Sequence, residues 1–168
     1  MSWICKTCGE QHDNIPLSFA PNFPDNYANL SPEQRETRTL FSPDQCIIDE
    51  KEFYIRGCLE IPIQGSNEIF MWGLWASLFQ EDYDEIDACW HEEGRESKHG
   101  PFKGRLANSL SVYPLSTANL KLTVKLRPVG QRPLFFVDEA EHALAIAQKT
   151  GMTNEEAYDL SSRIMHGQ

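Results

Sequence analysis

Two cysteines, a glycine and a histidine fall within the first twelve positions, in the run Ser2-Trp3-Ile4-Cys5-Lys6-Thr7-Cys8-Gly9-Glu10-Gln11-His12. The spacing of Cys5 and Cys8 suits two thiolates on a tight turn. Gly9 lets the backbone fold back so that amides face the sulfurs. His12 offers a third ligand atom. A structural zinc takes four ligands in a tetrahedron, and a catalytic zinc takes three plus water. The fourth must come from elsewhere, because there is no second Cys-x-x-Cys in the chain. Cys46 is the first choice, since it opens a strand directly after a proline-rich segment. Cys58, Cys89, His91 and His142 are weaker candidates. Cys89 and His91 stand two apart on an expected helix and so point in different directions. A redox pair would need its first cysteine at a helix N-terminus, where the thiol pKa falls, and no helical pattern follows Gly9. Small, partly buried residues on a turn are the bland alternative.

A second group of polar residues could form a site. Arg56, Cys58 and Glu60 share one face of an expected strand, and the planar fork of Arg56 could hold a carboxylate or phosphate. Pairing with a neighbour such as Glu60 is the favoured, structural reading. Asp44 beside Cys46 could orient a metal-bound His12 or cap a turn after Pro43. His142, near Asp138, Glu139 and Glu141, has the make-up of an acid–base pair, although a histidine at a helix start is more often structural. Phosphate-loop, dinucleotide, serine-hydrolase and HExxH signatures are absent. No catalytic residue is assigned, and the sequence leans against an enzyme.

The elements that must position these residues follow from periodicity. Residues 13–30 read as an ordered, proline- and aromatic-rich covering loop. Ser31-Pro32-Glu33-Gln34 is a capping box with proline at N1, opening a short helix that ends near Thr39. Cys46-Ile47-Ile48 and the stretch from Phe53 form a hairpin. Phe53, Ile55, Leu59, Ile61 and Ile63 alternate with Tyr54, Arg56, Cys58 and Glu60. The run 69–78 is apolar on both faces, as a central strand is; Phe70, Trp72 and Trp75 are read there as core. Residues 80–96 predict an acidic helix. Leu120, Leu122, Val124 and Leu126 alternate with Lys121, Thr123, Lys125 and Arg127, and Leu134-Phe135-Phe136-Val137 is another short strand. A helix over 139–149 stops at Gly151, and Thr153-Asn154-Glu155-Glu156 announces a second by its capping box. The expected fold class is α+β: an antiparallel sheet with covering helices, two C-terminal helices and an N-terminal zinc-knuckle-like segment over residues 1–12. One domain over 1–168 is expected.

Charge narrows the partners. Fifteen Lys and Arg against 25 Asp and Glu give a net charge of −10 in 168 residues. Such a surface repels nucleic acid and anionic membranes, and it attracts a basic protein. Eight acids, Glu81, Asp82, Asp84, Glu85, Asp87, Glu92, Glu93 and Glu96, crowd one segment with Arg95 as the cation among them. By default they are a solvated helix face. The start MSWICKTCGE lacks a basic region followed by an apolar run, so no cleaved signal is expected. No apolar stretch is long enough for a membrane span. Five cysteines, an odd number, fit reduced thiols in the cytoplasm.

The segments CKTCGEQH, SPDQCIID, FYIRGCLEIPI, FMWGLWASL and RPLFFVDEAEHALAIAQKTGMT occur in this order. Together, over residues 3–157, they resemble the bacterial domain-of-unknown-function family numbered 2199. The resemblance implies a small bacterial cytoplasmic protein and carries over no catalytic residues. The functional expectation is a cytoplasmic protein with a structural zinc that acts by binding a partner. The alternatives are an acidic immunity-type inhibitor of a basic protein and a zinc-dependent hydrolase using Cys5, Cys8 and His12. The oligomeric state is not set by the sequence.

Overall fold

The computed structural model describes residues 2–167. Its strands are β1 (Trp3–Ile4), β2 (Gln11–His12), β3 (Ser18–Phe19), β4 (Thr39–Phe41), β5 (Gln45–Ile48), β6 (Glu52–Pro62), β7 (Ile69–Leu78), β8 (Phe102–Leu106), β9 (Lys121–Lys125) and β10 (Leu134–Val137). Its helices are α1 (Asp25–Ala28), α2 (Pro32–Arg38), α3 (Gln80–Ala88), α4 (Arg95–Lys98), α5 (Ala143–Thr150) and α6 (Asn154–Met165). The expected capping boxes form at Ser31 and Thr153, each with the hydroxyl accepting from the N3 amide and the N3 side chain returning to the cap.

The fold is mixed α+β as expected, but the sheet is not an open antiparallel one. Strands β6 to β10 close into a five-stranded barrel. Each of the five pairs antiparallel with the next, and β10 returns to β6 in parallel through Leu134 and Cys58. Geometry forces this. An odd number of strands running alternately up and down brings the last back beside the first in the same direction. A second parallel pair joins β3 to β7.

Strands β6 and β7 are longer than the barrel needs, and they share out their outer edges. The first half of β6 pairs with β5, and its middle pairs with β10. Gly57 sits at the changeover, where a Cβ would collide with the Phe135 ring and stand 2.8 Å from the Pro133 carbonyl oxygen. Only glycine lets β10 come in there. The first half of β7 likewise pairs with β3 and its end with β8.

Alternation on these strands builds two cores. Phe53, Ile55, Leu59, Ile61, Phe70, Trp72, Leu74, Phe102, Leu106, Leu122, Val124 and Phe135 fill the first. Tyr83 and Ile86 of α3, Leu144 of α5, and Ala157 and Leu160 of α6 close over it. The opposite face of β5, β6 and β7 holds a second cluster: Tyr27, Cys46, Ile48, Tyr54 and Trp75, with Phe23 and Leu30 packed on it. Helix α3 meets β6 near its start, with the Phe53 and Tyr83 rings 5.3 Å apart. Met152, after α5, bonds the other end at Pro62.

Two helices are shorter than their patterns predict. The acidic helix ends at Ala88, and a turn with left-handed Gly94 (φ 77°) leads into α4. Helix α5 begins at Ala143, because His142 is its N-cap. The buried Arg95 anchors the barrel's rim: its guanidinium donates to the carbonyls of Trp90 (2.6 Å), Arg127 (2.8 Å) and Gln131 (2.8 Å). No helix among the described residues is long and apolar enough to cross a membrane.

Candidate metal centre

Strands β1 and β2 form a two-stranded hairpin in which Trp3 faces His12 and Ile4 faces Gln11. Its turn carries both Cys5 and Cys8. Gly9 takes φ 73°, a left-handed conformation that costs glycine least, and its amide donates to the Cys5 carbonyl at 2.8 Å. The turn folds back as the sequence predicts. Amides of Thr7 and Cys8 hydrogen-bond to the Cys5 sulfur, and that of Glu10 to the Cys8 sulfur.

Helix α6 completes the cluster. Ligand atoms of Cys5, Cys8, His12 and His166 all lie within 4.8 Å of one another. Cys5 Sγ is 3.3 Å from His166 Nε2, and Cys8 Sγ is 3.3 Å from His12 Nε2. A tetrahedral zinc with bonds of about 2.3 Å to sulfur and about 2.0 Å to nitrogen sets those atoms about 3.5 Å apart. The observed pairs are therefore near the edges of such a tetrahedron. These four side chains are close enough to bind a metal ion.

The surroundings orient the ligands. Burial alone would raise the Cys5 thiol, but the Ser162 hydroxyl at 2.8 Å and the amides of Cys8 and Thr7 outweigh it and bring it down to about 5. Cys8 accepts a hydrogen bond from the Glu10 backbone amide, yet burial and its neighbour's sulfur leave its thiol raised. Ser162, itself buried, lies 3.0 Å from Thr7 Oγ1. Trp3 stacks on His12 (5.5 Å, 30°) and meets Tyr158 of α6 at 5.7 Å. Lys6 pairs with Glu155 at 3.0 Å. Ser161 donates to the Pro16 carbonyl at 2.7 Å. The hairpin thus lies along α6 over its whole length.

Cys46, expected as the fourth ligand, lies outside this cluster. It is wholly buried in the second core cluster, beside Tyr54 and Trp75, where burial and the Glu52 charge push its thiol up to about 12. Its place directly after the proline-rich segment does not bring it to the hairpin. That segment, instead of leading toward the hairpin, covers the other side of β5–β7. Cys58, Cys89, His91 and His142 are likewise outside the cluster. The residue missed is His166, and a signal for it exists. Glu155, Tyr158, Ser162 and His166 recur at helical spacing, forming a polar stripe beside the apolar Ala157, Leu160 and Ile164.

Arg56, Glu60 and His142 have separate partners and make no common site. Arg56 Nη2 donates to the Pro21 carbonyl at 3.0 Å and its guanidinium packs 5.6 Å from the Trp75 ring. Its expected partner Glu60 instead lies 3.4 Å from Arg127, and Asp44 takes Arg132 at 2.7 Å. His142 is a cap: Nδ1 accepts from the Leu144 amide at 3.1 Å, which leaves Nε2 to donate to the Leu115 carbonyl at 3.3 Å. Part of the acidic run is engaged internally. His99 bridges Glu85 (2.9 Å) and Glu92 (2.7 Å), and Gln45 donates to Asp87 at 2.9 Å.

Residues 4–152 match the model of a family described as an uncharacterized protein conserved in bacteria, DUF2199, and the chain belongs to that family. The matched residues include Cys5, Cys8 and His12 and end before α6. No curated protein and no solved structure matches the chain.

Proposed function

We propose that this member of the DUF2199 family is a zinc-stapled binding protein in which Cys5, Cys8, His12 and His166 hold a structural ion. The convergence of two thiols and two imidazoles from opposite ends of the chain carries this reading. Two thiolates and two imidazoles in a tetrahedral arrangement are the donor set zinc prefers. Four protein ligands leave no position for water, which weighs against the zinc-dependent hydrolase. Five unpaired thiols suit a reducing compartment such as the cytoplasm. With no open metal position, the protein acts by contact with a partner, and its net charge of −10 favours a basic one. An immunity-type inhibitor is the narrower form of that idea.

The ion would dock α6 onto the β1–β2 hairpin. Apparent zinc-binding free energies in comparable peptides are about 10–16 kcal/mol, against a net domain stability of about 5–15 kcal/mol. A single site of this kind can therefore decide whether both ends of the chain are ordered. The test is metal analysis of the purified protein, followed by exchange with cobalt. The expected outcome is one zinc per chain and an intense visible spectrum of tetrahedral, thiolate-bound cobalt. A chain that binds no metal, or a weak six-coordinate spectrum, rejects the proposal.

A further inference from the structure

The outer surface of β7, β8 and β9 carries a feature independent of the metal centre. Ser77 faces Arg105, and Arg105 faces Lys121, across adjacent strands. Side chains directly opposite one another emerge on the same side of a sheet. Lys103, two residues from Arg105, joins them there. With Leu78, Phe79, Leu122 and Asp138 these residues line a groove of about 390 Å³, within the roughly 300–1,000 Å³ of small-molecule sites.

Three properties set it apart. Its charge opposes that of the chain: three cations surround one carboxylate, and Asp138 is already paired to Lys103 at 3.2 Å. Among the described residues, Arg105 donates to the Asn119 carbonyl at 3.3 Å, and neither it nor Lys121 pairs with a carboxylate. Second, Phe79 is 74% exposed, the most exposed large apolar side chain among the described residues. It occupies the N-cap of α3 with no side-chain capping bond. Ser, Thr, Asp or Asn there would stabilise the helix by about 1 kcal/mol, so local stability does not account for an aromatic ring in water. Third, Gly104 draws the strands together, since a Cβ on it would stand 2.9 Å from the Ser77 carbonyl oxygen.

We infer that this groove binds an organic anion, its phosphate or carboxylate head held by Arg105 and Lys121 and its apolar body laid on the exposed ring of Phe79. The guanidinium offers a planar fork to such a head and the ammonium a mobile point charge. The exposed ring supplies apolar contact and gives the body a reason to stay.

Titration of the full-length, isotope-labelled protein with phenyl phosphate, followed by amide NMR, tests this. Inorganic phosphate, benzyl alcohol and benzoate serve as parallel probes. The expected result is saturable shifts centred on Phe79, Lys103, Arg105 and Lys121. Affinity for phenyl phosphate or benzoate should exceed that for inorganic phosphate and benzyl alcohol at least tenfold. The stronger of the two aryl anions tells whether the head is phosphate or carboxylate. An Arg105→Ala, Lys121→Ala double variant should bind at least tenfold more weakly, with Lys149→Ala, an exposed lysine elsewhere, unchanged. Phe79→Ala should erase the advantage over inorganic phosphate. All four positions are exposed, and an unchanged amide spectrum outside the groove establishes that each variant folds. Scattered or non-saturating shifts, equal affinity for phosphate with and without the ring, or a double variant that binds like wild type would overturn the inference.

Discussion

Cys5 and Cys46 are both fully buried, yet their thiols move in opposite directions, one down to about 5 and the other up to about 12. Cys5 lies in a turn whose amides, with the Ser162 hydroxyl, point at its sulfur. Cys46 lies among Tyr27, Ile48, Tyr54 and Trp75, with the Glu52 carboxylate adding repulsion. Burial removes water in both places. What replaces the water decides whether the sulfur is a ligand or a small apolar side chain.

The same substitution at the two positions should break the symmetry of type and expose the difference of role. Cys5→Ser should abolish the proposed zinc site and, with it, about 5 kcal/mol or more of stability, read by metal analysis and urea unfolding. Cys46→Ser should keep its zinc and cost about 1–3 kcal/mol, the penalty for a buried hydroxyl without a partner. Equal losses, or zinc lost from the Cys46 variant, would remove the distinction. Ser162→Ala sharpens it by leaving all four ligands in place while removing the hydroxyl at Cys5. Zinc affinity measured against a competing chelator should fall about 10–100-fold, while unfolding of the metal-loaded protein keeps its cooperativity.

The smallest effect concerns a site where charges meet at the surface. Hydrogen bonds that His99 donates to the Glu85 and Glu92 carboxylates raise its folded pKa above its ordinary 6.5. Its contribution to stability is present in full below 6.5 and is lost as pH rises through the folded value. Bonds to His99 and Lys98 lower Glu92 below its ordinary 4.5, so its contribution is present above 4.5 and is lost as pH falls through the lower value. The bridge is strongest between 4.5 and 6.5. A histidine NMR titration should place His99 above 6.5, and the stability difference from His99→Gln should shrink at alkaline pH. A titration at or below 6.5 would contradict the bridge.

Local patterns gave the elements more readily than their arrangement. The alternation from Phe53 to Ile63, the apolar run of β7 and the two capping boxes each depend on a few neighbouring residues, and each forms. Strand β8, Phe102-Lys103-Gly104-Arg105-Leu106, is too short and carries a glycine too central to be read from propensity. Barrel closure rests on a glycine opposite Phe135, a residue distant in sequence. The N-terminal part of the Cys/His cluster was legible for the same reason the hairpins were, since Cys5, Cys8 and His12 lie within eight positions. Its fourth member, His166, was not, because a cluster takes a side chain from anywhere the chain returns, and only the stripe on α6 hinted that it returns there.

The parallel seam between β6 and β10 also bears on how the chain folds. The β6–β7 hairpin joins sequence neighbours and can zip as soon as both strands exist. The Cys58–Leu134 contact waits for β8, β9 and β10 to assemble first, and the entropy of closing that long loop is lost before any contact repays it. Closing the seam therefore carries a loop-entropy cost that the β6–β7 hairpin does not. Until it closes, the middle of β6 offers an unpaired edge to other chains, and closure of the barrel by β10 covers that edge.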